Sequence, residues 1–333
     1  MYHIAYVIPY FGKFREDINI WLLSVAYNPT ISWIIFTDDN SPYDWPNNVH
    51  VFYTTFEKIK KRIQSLFDFE ISLDRPYKLC DFKVTYGELF EQELREYDFW
   101  GYCDMDLMWG GIERFLTKEI LDQYDKIGFQ GHSTLYRNTK ENNSRYRIEI
   151  PGRETYRSVF TSSKSCNFDE KGINGIYNAI GVPFYSETIF STLAQYRHNF
   201  IARYWPKENV HNNKNVVYIW EAGKLFHVSA YRGNIFKQEV MYVHWQKRRM
   251  ELACTRAKKC IVIIPNKIQD CNTNLTYDYI WKVSRANWIS YFMKILKENK
   301  GASIIFYLKF IKRFIKYNLR VKFRNEIKQD IDG

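Results

Sequence analysis

Asp104-Met105-Asp106 follows the run Tyr97-Asp98-Phe99-Trp100-Gly101-Tyr102-Cys103, so a strand-like apolar stretch ends in two carboxylates at i and i+2. In an extended chain such residues point to the same side. Two hard oxygen ligands on one side suit Mg²⁺ or Mn²⁺, ions that keep open positions for substrate phosphates. A cation held there would neutralise a diphosphate leaving group. The competing reading is a solvated turn, because Asp-x-Asp is a common triplet. Neither a Gly-x-x-x-x-Gly-Lys-Ser/Thr loop nor a Gly-x-Gly-x-x-Gly run occurs, which argues against P-loop and dinucleotide chemistry.

Positioning such a pair requires a sheet. His3 to Pro9 reads as a strand, Asp17 to Tyr27 as a helix, Ile31 to Thr37 as a second strand and Val49 to Thr54 as a third. Phe56 to Phe67 has helical spacing, Lys78 to Glu96 reads as mostly helical, and Phe99 to Cys103 as a strand. Gly111 to Tyr124 reads as a further helix and Ile127 to Phe129 as a short strand. Strands alternating with helices predict an α/β fold with a mainly parallel sheet flanked by helices. Ligands in such sheets bind beyond the carboxyl ends of the strands, where Tyr10, Asp38 and Asp104 all fall. The second half is less regular. Arg137 to Arg147 reads as a mobile polar loop, Val216 to Val243 as antiparallel strands around Glu221-Ala222-Gly223-Lys224, Cys260 to Ile264 as a strand and Tyr277 to Leu296 as a helix.

The chain has 333 residues, 46% apolar and 18% aromatic, enough for a sizeable core. Six cysteines without a Cys-x-x-Cys pair suggest reduced thiols rather than a zinc ribbon or disulfide framework. The first ten residues read as a strand and not a signal peptide. The net charge of +11 is concentrated late: nine Lys or Arg side chains lie between Lys297 and Arg324, opposed only by Glu298. A nucleic-acid groove would spread its charge over the folded domain, so no nucleic-acid partner is expected. The expected partition is a catalytic domain over 1–296 and a basic tail over 297–333. The former divides into a nucleotide-binding half over 1–130, an acceptor half over 131–275 and a closing helix over 277–296.

Four segments carry a resemblance: Ala5 to Gly12 (AYVIPYFG), Tyr77 to Lys83 (YKLCDFK), Gly101 to Asp106 (GYCDMD) and Tyr242 to Arg248 (YVHWQKR). Their order resembles that of the GT-A nucleotide-sugar glycosyltransferases. More closely, the chain from Met1 to about Arg249 resembles bacterial glycosyltransferase-like proteins of capsule and cell-surface polysaccharide loci. The resemblance implies a GT-A-like fold and transfer of a sugar from a nucleotide-sugar, with a UDP-sugar as the first choice, to a glycan or lipid-linked glycan. It implies that Asp104 and Asp106 hold the metal with His244 as a third ligand, Lys247 being near enough to reach a phosphate. Imidazole in the donor set favours Mn²⁺ over Mg²⁺. A strand-end histidine is the other reading of His244, and His227, flanked by Phe226 and Val228, is the weaker competitor as ligand.

Tyr10 and Phe11 would flank the base, and Asp38 or Asp39 would accept from a uracil N–H; a turn capping the sheet edge is the alternative. Lys83 would reach the diphosphate or remain a solvated helix charge. An inverting transferase needs a carboxylate to take the acceptor proton, and Phe168-Asp169-Glu170-Lys171-Gly172 offers Glu170 first and Asp169 second. Helix-end stabilisation accounts equally for that pair, and a retaining enzyme would not need it. From Ile304 to Arg324 the tail is amphipathic, with Lys309, Lys312, Arg313, Lys316 and Arg320 on one face. The opposite face carries Leu308, Ile311, Phe314, Ile315 and Val321 beside Phe310 and Tyr317. This is the pattern of a helix lying on an anionic membrane surface, and it places the protein in the cytoplasm against the inner face of the plasma membrane. A nucleic-acid-binding protein, a non-catalytic scaffold with a degenerate transferase fold and a nucleotidyltransferase are the alternatives.

Overall fold

The computed structural model describes residues 2–204, 212–246, 248–254, 260–271 and 275–319. The chain divides into two compact units, Met1–Ile189 and Phe190–Gly333.

In the first unit the strands are β1 (Ile4–Tyr10), β2 (Ile31–Thr37), β3 (Val49–Tyr53), β4 (Phe99–Cys103), β5 (Leu107–Trp109), β6 (Lys126–Gln130) and β7 (Ser133–Arg137). Its helices are α1 (Ile18–Ala26), α2 (Phe56–Gln64), α3 (Leu79–Phe82), α4 (Tyr86–Leu89), α5 (Glu91–Leu94), α6 (Lys118–Gln123), α7 (Lys140–Ser144), α8 (Tyr156–Phe160) and α9 (Ile173–Ala179). Six strands form one sheet in the order β3-β2-β1-β4-β7-β6. β3, β2, β1 and β4 are parallel; β7 is antiparallel to β4, and β6, at the far edge, is antiparallel to β7. The central strands are buried along most of their length, which explains their near-continuous apolar composition. From β1 the chain builds outward through β2 and β3, then returns to the other side of β1 as β4. That reversal makes a crevice outside the carboxyl ends of β1 and β4, the place where open α/β sheets bind ligands.

Three expectations need correction in this unit. The helix expected over 111–124 is a 3₁₀ turn at Ile112–Arg114 followed by α6. The helix expected over 78–96 is a series of short helical segments that bends repeatedly. The segment 137–147 is not a mobile loop. The Thr139 side chain caps α7, and Asn142, Asn143 and Arg145 are buried. Asn142 donates to the carbonyls of Asp125 and Arg137, and Arg145 pairs with Asp125. The polar side chains that suggested solvent are satisfied inward.

The second unit contains β8 (Ser191–Thr192), β9 (Val216–Glu221), β10 (Lys224–Tyr231), β11 (Asn234–Glu239), β12 (Tyr242–His244), β13 (Glu251–Ala253), β14 (Cys260–Ile264) and β15 (Lys267–Asp270). Three helices follow: α10 (Tyr277–Val283), α11 (Trp288–Glu298) and α12 (Ile304–Phe314). The sheet order is β11-β10-β9-β14-β15-β13, antiparallel except for the β13–β15 pair. As expected, β9 and β10 form a hairpin around Glu221–Lys224. Its two-residue turn has positive φ at both Ala222 and Gly223, which matches the twist of the paired strands. The single helix expected over 277–296 is α10 and α11, with Asn287 capping the second. Phe310 and Phe314, expected on an outward apolar face, are buried instead, stacked and tilted against Phe292. Arg320 and Val321 lie outside the described residues.

His227 is a strand-interior residue, as its neighbours suggested. Its Nε2 contacts the Asn212 carbonyl at 2.7 Å and its Nδ1 the Tyr218 hydroxyl at 3.2 Å, a pattern that a neutral ring satisfies. Burial pushes its pKa down to about 4, against the opposing pull of the Asn212 carbonyl. Above the unfolded pKa, near 6.5, both states are neutral; below it the unfolded chain binds a proton that the folded chain refuses. Stability should therefore fall by about 3 kcal/mol as pH drops from roughly 6.5 to 4, and this contribution should level off below that. Urea midpoints of wild type and His227→Phe between pH 7 and 4 test this. A difference between the two that stays constant with pH would refute the assignment.

Candidate active site

The crevice beyond β1 and β4 collects most of the charged residues singled out above that lie in the first unit. Asp104 follows β4 directly, its amide donating to the His132 carbonyl, and a bend carries the chain through Met105 to Asp106. Carboxylate oxygens of Asp104 and Asp106 lie within 4.8 Å of each other. Each faces a cation. Lys83 Nζ is 2.8 Å from Asp104 Oδ1, and Arg15 Nη1 is 3.7 Å from Asp106 Oδ2.

Lys83 is not a solvated helix charge. It sits in the 3₁₀ turn Lys83–Thr85 after α3, where Nζ also donates to the Gly131 carbonyl at 2.7 Å. It lies 3.7 Å from Asp169 Oδ2 and over the Tyr102 ring. Burial works against its charge, but Asp104 and Asp169 outweigh burial and hold its pKa well above the usual lysine value.

Asp169 and Glu170 lie in a π-helical turn, Phe168–Gly172, entered through Asn167 in the left-handed region at φ 56°. Burial pushes the Asp169 carboxyl up to about 7; Lys83 opposes the shift, while Glu170, Asp104 and Asp81 add to it. Glu170 Oε1 accepts from the Gly131 amide at 2.8 Å. Gly131 therefore joins two charged side chains, Lys83 and Glu170, and a Cβ there would fall on the carboxyl group of a third, Asp169. Gly131→Ala should displace the carboxylates and cost about 1–3 kcal/mol, read as a lower urea midpoint. An unchanged midpoint would mean that the π-helical turn gives way freely.

Tyr10 ends β1 and stacks on Phe14 at 4.6 Å, while Phe11 packs edge-on against Phe56. Gly12, at φ 92°, turns the chain so that its amide donates to Asp38 Oδ1 at 2.7 Å. Asp38 is exposed; Asp39 is buried and fully engaged. Asp39 accepts from Lys13, the Phe14 amide, Ser41 and Tyr43. Burial alone would raise its pKa, but these donors hold it far below the usual carboxylate range. Asp39 thus ties residues 13–14 to residues 41–43.

In the second unit His244 ends β12, buried, with Nδ1 3.0 Å from the Thr192 hydroxyl of β8. Lys247 lies outside the described residues. Sequence reasoning missed Arg15 and Gly131. Arg15 carried a weak signal, a cation two residues before Asp17, with which it forms two hydrogen bonds. Gly131 carried none, because its role depends on a segment almost forty residues away.

Among solved structures the chain is similar to the galactosyltransferase LgtC in complex with donor and acceptor sugar analogs. That likeness has 10% identity and a TM-score of 0.33, covering 56% of this chain and 75% of that one. It is also similar to mouse xyloside xylosyltransferase 1 in the apo form, at 9% identity and a TM-score of 0.35, covering 59% of this chain and 88% of that one. No curated protein matches. The sequence profile of one family matches residues 6–272, and the chain belongs to that family, described as a family of unknown function (DUF6625).

Proposed function

We propose that the chain is a metal-dependent glycosyltransferase that moves a sugar from a nucleotide-sugar to a glycan or lipid-linked glycan. The observation that carries the reading is the pairing of Asp104 and Asp106 at the β1/β4 switch point, with Lys83 and Asp169 behind them. The donor set fits a hard divalent cation: two carboxylates face one crevice, and each already faces a positive side chain. Asp104 and Asp106 would hold the ion, and the resemblance assigns His244 as third ligand, its ring oriented through the Nδ1 contact to Thr192. Such a set prefers Mn²⁺ to Mg²⁺. When bound, the ion would supply charge neutralisation at the departing diphosphate.

The remaining roles fall to the chain itself. Tyr10 and Phe11 form an aromatic edge for the base. Asp38 is the acceptor for a uracil N–H, since the Asp39 oxygens already accept from several donors. Lys83 moves its charge from Asp104 towards the diphosphate, and Lys247 is assigned there by the resemblance alone. In transfer, the acceptor hydroxyl oxygen bonds to the anomeric carbon as the bond to the diphosphate oxygen breaks, and the hydroxyl proton goes to a carboxylate. Asp169, with its pKa near neutrality, ranks ahead of Glu170 for that proton.

Calorimetric titration with UDP, GDP, CDP and ADP, with Mn²⁺ or with EDTA, tests the reading. Selective UDP binding that needs Mn²⁺, together with slow release of UDP from a UDP-sugar, is the expected result. No metal-dependent nucleotide binding by demonstrably folded protein would overturn it. Formation of pyrophosphate from a nucleoside triphosphate and a sugar phosphate would move the assignment to nucleotidyl transfer.

A further inference from the structure

The helical hairpin at the end of the described chain is built for more than closing its own unit. α11 and α12 pack through aromatic rings: Phe292 stacks on Phe310 at 5.5 Å and tilts against Phe314 at 5.0 Å, and Tyr291 lies beside Phe314. The Ser303 side chain caps α12, and the Tyr307 hydroxyl bonds the Asn299 carbonyl across the turn. The hairpin thus has its own core, yet large apolar side chains remain outside it. Ile304, Ile305 and Leu308 on α12 are 63–78% exposed, and Ile289 and Met293 on α11 are 53% and 58% exposed.

At 100° per residue α12 carries three stripes. Tyr307, Phe310 and Phe314 form the seam towards α11, and Ile304, Leu308, Ile311 and Ile315 form an exposed apolar stripe next to it. Lys309, Lys312, Arg313 and Lys316 form a basic stripe on its other side. From residue 279 to 319 nine Lys or Arg residues stand against one acid, Glu298.

We infer that the α11–α12 hairpin docks on the surface of an anionic lipid bilayer, its aliphatic stripe in the acyl boundary and its lysines among the headgroups. This goes beyond the donor-site reading and stands whether or not that reading holds. Charge selects the occupant. A second copy of the same patch would bring two strongly basic surfaces together without counter-charge. A nucleic acid would use flat rings for stacking, whereas the exposed tips here are mostly aliphatic. A bilayer offers hydrocarbon to the aliphatic side chains and phosphate to the lysines, whose long stems reach from one to the other. The helices lie on the surface rather than span it, because no helix of the described residues is long and apolar enough to cross a membrane.

Co-sedimentation of the full chain with phosphatidylcholine vesicles, with and without about a third phosphatidylglycerol, tests this at about 50 mM and about 300 mM salt. Binding to the anionic vesicles should dominate and weaken with salt. Each lysine near the surface contributes about fivefold in affinity, so Lys309→Gln/Lys312→Gln/Lys316→Gln should lose about 10²-fold. Ile304→Ser/Leu308→Ser, which leaves the aromatic seam intact, should lose at least about tenfold. Equal affinity for neutral and anionic vesicles, or full binding by the serine variant, would overturn the proposal. So would a concentration-dependent dimer that the serine variant abolishes, since the stripe would then belong to a second copy. UDP binding measured on the same variants separates this outcome from any failure of the donor site.

Discussion

Asp106→Asn should abolish Mn²⁺-dependent UDP binding and lower transfer by about 10²–10³-fold, the usual cost of removing one preorganised charge from a polar catalytic site. The substitution keeps the shape of the side chain and removes half of the paired negative charge. Its counter-charge Arg15 stands 3.7 Å away and also bonds Asp17, so Arg15 keeps a partner when Asp106 is neutralised. Asp106 is therefore the cleaner probe of the two. Asp104→Asn should lose the same activity, but it also withdraws the closest counter-charge from the half-buried Lys83 and adds a stability cost. The pair of variants separates chemistry from folding. Both should lose metal-dependent binding in calorimetry, and only Asp104→Asn should show a clear drop in urea midpoint. An Asp106→Asn protein that still binds UDP only when Mn²⁺ is present would remove Asp106 from the ligand set.

The parallel half of the first sheet was legible because its strands are short apolar runs punctuated by turn residues. Ile31 to Thr37 and Phe99 to Cys103 were bounded as the structure has them. β7 was missed. It follows β6 after a two-residue break at Gly131-His132, and the glycine is needed for close approach to Asp169 rather than as a visible turn signal. Polar composition misled at 137–147, where asparagine side chains bond buried backbone carbonyls. Composition alone does not distinguish a solvated asparagine from one satisfied internally. The same ambiguity hid the fate of Asp39, whose partners come from both sides of the loop it ties together. Lys83 was visible as a cation at helical spacing, but its pairing with Asp104 depends on tertiary packing. In the tail, amphipathic spacing identified an apolar side without distinguishing rings that pack on α11 from aliphatic side chains that remain outside.

Asp81→Ala should destabilise the first unit by about 3–5 kcal/mol, because it strands a buried lysine. Lys78 and Asp81 are both buried and 2.8 Å apart. Lys78 also donates to the carbonyls of Val159 and Lys164, and Asp81 accepts from the amides of Cys166 and Phe168. The pair thus holds both ends of the segment that delivers the π-helical turn bearing Asp169 and Glu170. This gives the Tyr77 to Lys83 run a physical role beyond Lys83 itself. Replacing both charges, as Lys78→Met/Asp81→Leu, removes the stranded cation but leaves two amides and two carbonyls without these partners. Two of those four groups are already bare in Asp81→Ala, so the double variant trades the stranded cation for two further bare carbonyls at about 1–3 kcal/mol each and should recover little of the loss in urea midpoint. Full recovery would mean that the pair contributes charge alone and that other contacts order the segment. No recovery would mean that the backbone bonds dominate, in which case Asp81→Asn, which keeps an acceptor oxygen, should be the milder substitution.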